Sequence, residues 1–184
     1  MVFEEKTLKS DIIYKGKILN LRRDIVEAVN GNTAEREIIE HDGGVTVAAI
    51  TDENKMVMVR QFRNAPGRVI LEAPAGKREK GEEPIETVAR ELKEETGYTA
   101  SEIIFLTKFY SSIGYSEEMI YLYLCRGLTP GETDFDDNES LDIIEYDLNE
   151  LFDMVVSGEI EDAKTIIAIL MSKIYMGSGK SRNA

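Results

Sequence analysis

Glu82, Glu91, Glu94 and Glu95 are crowded into GKREKGEEPIETVARELKEETGYTA, residues 76–100. Carboxylates spaced four apart weaken a helix by a few tenths of a kcal/mol per pair. Alternating the charges would solubilise a surface at less cost. Clustered oxygen ligands of this kind suit a hard divalent cation, magnesium or manganese. A cation held there polarises phosphoryl oxygens and lowers the pKa of a bound water. The chemistry on offer is metal-assisted hydrolysis of a phosphate-bearing substrate.

Such a cluster needs a helix to space it. Pro84 suits the first turn, where no intrahelical N–H is required, and Gly97 suits a left-handed C-terminal stop. Between them Ile85, Val88, Ala89 and Leu92 form an apolar stripe that can pack on a sheet. At roughly 100° per residue, Glu91 and Glu95 share a face beside that stripe, with Glu94 close by. Glu82 reaches the same cluster from the preceding loop. Arg90 and Lys93 point elsewhere and hold helix and loop by ion pairs. A solvated, glutamate-rich helix has the same periodicity, so periodicity leaves both readings open.

The rest of the chain is a mixture of strands with a few helices. Residues 14–28 read as one or two strands, Asn30-Gly31-Asn32 as a turn, and AEREIIEH as a returning strand. VTVAAI and KMVMVRQFR are strands joined by the polar turn TDEN, and RVILEAPAG runs up to the carboxylate helix. SEIIFLTKFY, EEMIYLYLCRGL and LDIIEYD supply more strands. Two helices close the chain, with Asp147 and Asp162 as caps and Ile166, Ile167, Leu170 and Met171 as a packing stripe.

With 184 residues, 42% of them hydrophobic, one domain with a sizeable core is expected. A net charge of -13 argues against nucleic acid and anionic membranes as partners. No apolar run reaches transmembrane length. Cys125 and His41 are each the single residue of their type, which excludes an intrachain disulfide, a Cys/His zinc site and a Ser-His-Asp triad with a second histidine to spare. A cytoplasmic location is expected.

Gly76, Glu82, Arg90-Glu91-Leu92-Lys93-Glu94-Glu95-Thr96-Gly97 and Tyr98 resemble the complete box of the Nudix hydrolases, at its spacing. Tyr98 stands where an aliphatic residue is more usual. The resemblance implies an α/β fold, the Nudix α/β/α sandwich with a mixed sheet and an N-terminal β extension. It also implies that Glu91 and Glu95 bind metal, with Glu94 a ligand or water-bridged partner and catalytic group, Glu82 in the outer site, and the Ala75 carbonyl a further ligand. Arg90 would orient the glutamates, and Gly76 would let the loop turn closely around the metal.

REIIEHDGGVTVAAI, VRQFRNAPGRVILEAPAG, FYSSIGYSEEMIYLYLCRGL and GEIEDAKTIIAIL extend the resemblance to ADP-ribose pyrophosphatases and their nucleotide-sugar relatives. In that branch Glu118 matches a base or metal ligand, with Glu117 as its neighbour. Arg36, Arg63, Arg68 and Arg78 are candidates to clamp phosphates, Gly114 belongs to the substrate loop, and Tyr14, Phe62 and Tyr115 could stack on a base. Ile113 stands where a proline is expected before Gly114, which loosens the assignment of ADP-ribose over another nucleoside diphosphate sugar. The organisation expected is a β extension over 1–40 serving a homodimer and its substrate pocket, a Nudix domain over 41–176, and a flexible tail over 177–184. The expected reaction gives AMP and ribose 5-phosphate from ADP-ribose. The rivals are hydrolysis of another nucleoside diphosphate sugar and a nucleotide-sensing module without turnover.

Overall fold

A computed structural model of the chain describes residues 4–135 and 140–178. The chain divides into two compact units, one of Met1–Gly43 with Phe109–Met119, the other of Gly44–Lys108 with Ile120–Ala184.

The first unit is built on β1 (Lys6–Lys15), β2 (Asn20–Glu27) and β3 (Thr33–Glu40), an antiparallel sheet in that order. The β2–β3 turn falls at the expected Asn30-Gly31-Asn32: Gly31 has φ 77, and the Asn32 N–H donates to Asn30 Oδ1 at 3.1 Å. β1 starts at Lys6, well ahead of the strand expected from Tyr14. Its pairing with β2 shifts register between Thr7 and Lys9 and again between Ile12 and Tyr14. Each bulge inserts a residue and resets the two-residue alternation, so no strand period is visible there. Residues 115–117 run beside β3, with the Ile39 N–H donating to the Tyr115 carbonyl at 2.7 Å and the Glu117 N–H to the Ile39 carbonyl at 2.9 Å.

The second unit holds β4 (Gly44–Ala49), β5 (Lys55–Arg63), β6 (Arg68–Glu72), β7 (Ala75–Lys77), α1 (Pro84–Thr96), β10 (Asp142–Asp147), α2 (Leu148–Val156) and α3 (Ala163–Gly177), with most of β8 (Thr99–Tyr110) and β9 (Met119–Thr129). One sheet has the order β7-β4-β9-β8 and the other β10-β5-β6. β4 runs parallel to β9 and antiparallel to β7, so the first of these sheets is mixed. All of β4 is buried. Since alternate residues of a strand face opposite ways, both its faces are covered. Val45, Val47 and Ala49 pack with Val88 and Leu92 of α1, and alternation turns Thr46 and Ala48 toward the face on which α3 lies. That is the expected α/β/α layering.

The turn TDEN joins β4 to β5, and Asn54 takes a positive φ of 61, which asparagine tolerates. The two strands nevertheless enter different sheets, linked by the single bridge Ile50–Met56. Asp147 and Asp162 cap α2 and α3 as expected, accepting from the Asn149 and Thr165 N–H groups. The buried stripe of α3 differs from the expected one: Thr165, Ala168, Ile169 and Ser172 are buried, while Ile166, Ile167, Leu170 and Met171 are only partly covered. Small side chains allow the close approach, and a helix apolar on most sides does not announce which side packs. Helix α3 continues through Gly177, and the rest of the expected tail, 179–184, lies outside the described residues. Among the described residues no helix is long and apolar enough to cross a membrane.

One buried charge ties the elements of the second unit together. Glu72, at the end of β6, is 3% exposed. Arg63 grips it with a fork, Nε–H at 2.7 Å and an Nη2 hydrogen at 2.9 Å, and Lys164 of α3 donates to it as well as to Asp162. Burial alone would push the Glu72 carboxyl up, but the Arg63 fork and the Lys164 charge outweigh it and leave the pKa below its ordinary 4.5. A depressed folded pKa means that unfolding takes up a proton in acid. The stabilisation is complete above about pH 4.5 and is lost as pH falls through the lower folded value. Glu72→Gln is therefore expected to melt well below the wild type near neutrality, with the gap closing below about pH 4.5. Thermal melts across pH check this, and a gap that does not change with pH overturns it.

Candidate active site

Helix α1 begins and ends where Pro84 and Gly97 require. Glu86 accepts a hydrogen bond from the N–H of the N-cap Glu83 at 3.0 Å, and Gly97 closes the helix at φ 73 with its N–H on the Lys93 carbonyl. The buried face differs from the expected stripe. Val88 and Leu92 are buried, but Ile85 and Ala89 are exposed, and Thr87, Glu91, Glu95 and Thr96 are buried in their place. Strand β7 accounts for the rotation. A Cβ on Gly76 would lie 1.8 Å from the Glu91 carboxyl carbon, so only glycine lets the strand run against that carboxylate. The Ala75 N–H donates to Glu95 Oε2 at 3.0 Å. The carboxylates are therefore part of the packed face.

Arg90 gathers the cluster. It forks Glu82 through Nε and Nη2, both at 3.1 Å, and its Nη1 donates to Glu91 Oε1 at 2.7 Å and Glu94 Oε2 at 2.9 Å. Its Nη2 also reaches the Lys77 carbonyl at 3.1 Å, tying the helix to the end of β7. Arg90 thus turns onto the acidic face, against the expectation that it points elsewhere. The Arg90 hydrogen bonds and the Glu79 N–H hold the Glu82 carboxyl down at about 2 despite some burial. Arg78 braces the same loop, donating to the Glu82 carbonyl at 2.6 Å while its guanidinium lies 5.5 Å from the centre of the Tyr121 ring. Tyr121 lies far along the chain in β9 and carried no sequence signal.

The other arginines are already engaged. Arg63 is committed to Glu72, and Arg68 pairs with exposed Glu161. These groups, with Asp162 and Lys164, line a cavity of about 380 Å³. Phe62 is exposed in the same unit.

Glu118, Glu117, Gly114, Arg36, Tyr14 and Tyr115 belong to the first unit. The two adjacent glutamates face different partners. Glu117 pairs with Arg22 at 3.0 Å, and Arg22 also holds Glu40 at 2.7 Å. Glu118 Oε1 lies 3.6 Å from His41 Nδ1, which itself accepts the Gly43 N–H at 3.0 Å. The His41 neighbour was missed because nothing in the sequence links positions so far apart. Arg36 pairs with Glu5 at the surface, Gly114 has open space around it, and Tyr14 and Tyr115 are exposed.

The donor set in the second unit fits a hard divalent cation: Glu91, Glu94, Glu95 and the Ala75 carbonyl offer oxygen only, and Gly76 makes room for the Glu91 carboxyl. Among the described residues no three acidic groups already converge as a formed metal cluster. Arg90 holds an oxygen each of Glu91 and Glu94.

Comparisons with known proteins agree with this geometry. A chain described as methanol dehydrogenase activator, from Bacillus methanolicus, is 45% identical over 170 residues, covering 91% of this chain and 92% of its own. One described as ADP-ribose pyrophosphatase, from Bacillus subtilis (strain 168), is 45% identical over 168 residues, covering 90% and 91%. The solved structure of an ADP compounds hydrolase superposes with a TM-score of 0.86 over 97% of this chain and 98% of that one, at 20% identity, and so supports the fold. Residues 5–39 match the nucleoside diphosphate sugar hydrolase N-terminal domain. The NUDIX domain matches residues 40–168, and with the box carboxylates gathered by Arg90 on α1, this chain belongs to the Nudix hydrolase family.

Proposed function

We propose that this chain hydrolyses the diphosphate of ADP-ribose, giving AMP and ribose 5-phosphate. The observation that carries the reading is 45% identity, over nine-tenths of both chains, to an ADP-ribose pyrophosphatase. The family depends on a divalent metal. Here Glu91, Glu94, Glu95 and the Ala75 carbonyl would hold magnesium, or manganese in its place, with Glu82 in the outer site. Such a cation supplies Lewis acidity to phosphoryl oxygens and to a bound water.

The chain's own groups do the rest. Arg90 keeps Glu82, Glu91 and Glu94 in register and offsets part of their repulsion. The Ala75 N–H fixes one oxygen of Glu95, and so the direction in which that carboxylate presents itself. Glu118 is the proposed base or further ligand. Of the arginines, Arg68 has only an exposed partner to exchange for phosphate, whereas Arg63 would have to abandon buried Glu72. Arg68, Arg78 and Arg36 are thus better phosphate ligands than Arg63. Ile113 beside Gly114 keeps other nucleoside diphosphate sugars in the test. Buried Cys125 needs no oxidising compartment, which fits a cytoplasmic enzyme.

A second reading rests on the equally similar methanol dehydrogenase activator. Raising methanol dehydrogenase turnover on addition of this protein would support it, and no effect would remove it.

The reading also includes a homodimer. β1 is an outer strand of its sheet, and Leu8, Ile12, Ile13 and Tyr14 on it are each at least half exposed, an edge that a second copy would cover. Light scattering over a concentration series is expected to give twice the chain mass. A fully active monomer overturns this part.

Product-resolved assays on ADP-ribose, GDP-mannose and UDP-glucose, with magnesium or manganese and with chelator, test the reaction. Cleavage of ADP-ribose to AMP that chelator abolishes is expected, and no cleavage of any of them sinks the reading. Glu91→Gln and Glu95→Gln should each lower turnover about 100-fold or more while remaining folded. Glu118→Gln should cost on the order of 100-fold, and Glu117→Gln far less, since its carboxylate serves Arg22. Near-wild-type turnover of both box variants at limiting magnesium overturns the metal assignment.

A further inference from the structure

The segment from Glu72 to Gly76 runs from the end of β6 through the link Ala73-Pro74 into β7, and each of its residues is held. Glu72 lies in the grip of Arg63 and Lys164. The Ala73 N–H donates to Thr165 Oγ1 at 2.8 Å. The Pro74 carbonyl accepts the Val47 N–H at 2.8 Å, with the Thr46 hydroxyl at 3.4 Å. The Ala75 N–H is on Glu95, and Gly76 lies against Glu91. Strand β4 supplies one of these anchors and α1 two. The others are Arg63 of β5 and, from the first turn of α3, Lys164 and Thr165.

Thr165 is fully buried, and its hydroxyl is used in both directions. It donates to Asp162 Oδ2 at 2.5 Å and accepts from the Ala73 N–H. The same Asp162 oxygen caps the helix through the Thr165 N–H at 3.1 Å and takes Lys164 Nζ at 2.8 Å. One carboxylate oxygen therefore sets the hydroxyl rotor of Thr165 and the ammonium of Lys164, and those two groups grip consecutive residues, Ala73 and Glu72. Two peptide units later the chain meets the carboxylates of α1. A peptide link this short is stiff, so displacement at Ala73 reaches Ala75 and Gly76.

We infer that Thr165 and Lys164, aligned by Asp162, are positioning residues that set the Ala75–Gly76 edge against Glu91 and Glu95 for metal binding. None of the three is among the proposed metal ligands. The inference rests on the reading of Glu91, Glu95 and Ala75 as the metal site. Partner groups that orient metal ligands typically change affinity or activity by about 10–100-fold when removed.

The test is Thr165→Val, which keeps shape and loses the hydroxyl, beside Thr165→Ser, which keeps the hydroxyl. Manganese binding without substrate is read by the loss of the free-ion paramagnetic resonance signal, and turnover is followed across a magnesium titration below each variant's melting temperature. Thr165→Val is expected to weaken manganese binding and raise the magnesium requirement about tenfold, with KM for ADP-ribose nearly unchanged. Thr165→Ser should recover most of both. Wild-type metal binding in folded Thr165→Val overturns the inference, as does a serine variant as impaired as the valine one. Lys164→Met tests the second grip should the valine variant not fold, with the same shift expected and a wild-type metal titration counting against it. Glu95→Gln separates the two levels. Manganese binding unchanged in Glu95→Gln refutes the metal site itself, whereas loss there with none in the Thr165 or Lys164 variants refutes only the positioning role.

Discussion

Four carboxylates can share one end of this structure because a guanidinium lies among three of them and a backbone N–H meets the fourth. Arg90 contacts Glu82, Glu91 and Glu94 together, and it also ties the helix to the end of β7. Its planar fork matters, since a lysine could not grip both oxygens of Glu82 while directing another N–H at Glu91 and Glu94. Arg90 organises the cluster, and a metal that took oxygens from Glu91 and Glu94 would compete with it for them. Arg90 can lose those two bonds and still hold its fork on Glu82.

Burial raises the stakes of that arrangement. Glu91 and Glu95 sit on the packed face of α1, where water screens them poorly, so their repulsion is felt more than on an open helix. The absent side chain of Gly76 is what allows it. Any Cβ there would collide with the Glu91 carboxyl and force either β7 or the helix away. Packing and chemistry are thus set by the same contact.

Features fixed within a few residues were legible in the sequence. Pro84 and Gly97 bounded α1, Asp147 and Asp162 capped their helices, and the Asn30-Gly31-Asn32 turn stood where its types demanded. The spacing of the box pointed to the family as well as to the residues that Arg90 gathers. Features that depend on a distant partner were not legible. The covered face of α1 is decided by β7, and that of α3 by the elements beneath it, so the apolar stripe was right at Val88 and Leu92 but wrong at Ile85 and Ala89, and it missed the buried face of α3. Two bulges concealed β1. The engagement of Arg63 by Glu72 and the grip of Lys164 on the same carboxylate join residues 9 and 92 positions apart. An arginine taken from sequence as a phosphate clamp can be a structural ion pair for the same reason: its charge suits either partner.

Glu117 and Glu118 show how finely local geometry divides such roles. Extended backbone turns successive side chains to opposite sides, and the Glu117 N–H is fixed on the Ile39 carbonyl. One carboxylate therefore meets Arg22 and the other meets His41. Arg22 consumes Glu117 in bracing the segment against β2 and β3. His41 does not consume Glu118 in that way. Its Nδ1 accepts the Gly43 N–H, which in the neutral ring puts the proton on Nε2. At 3.6 Å, then, the nitrogen facing Glu118 is an acceptor, with no proton to give. The residue before Glu118 is thus spent on holding the segment in place, and Glu118 itself faces His41.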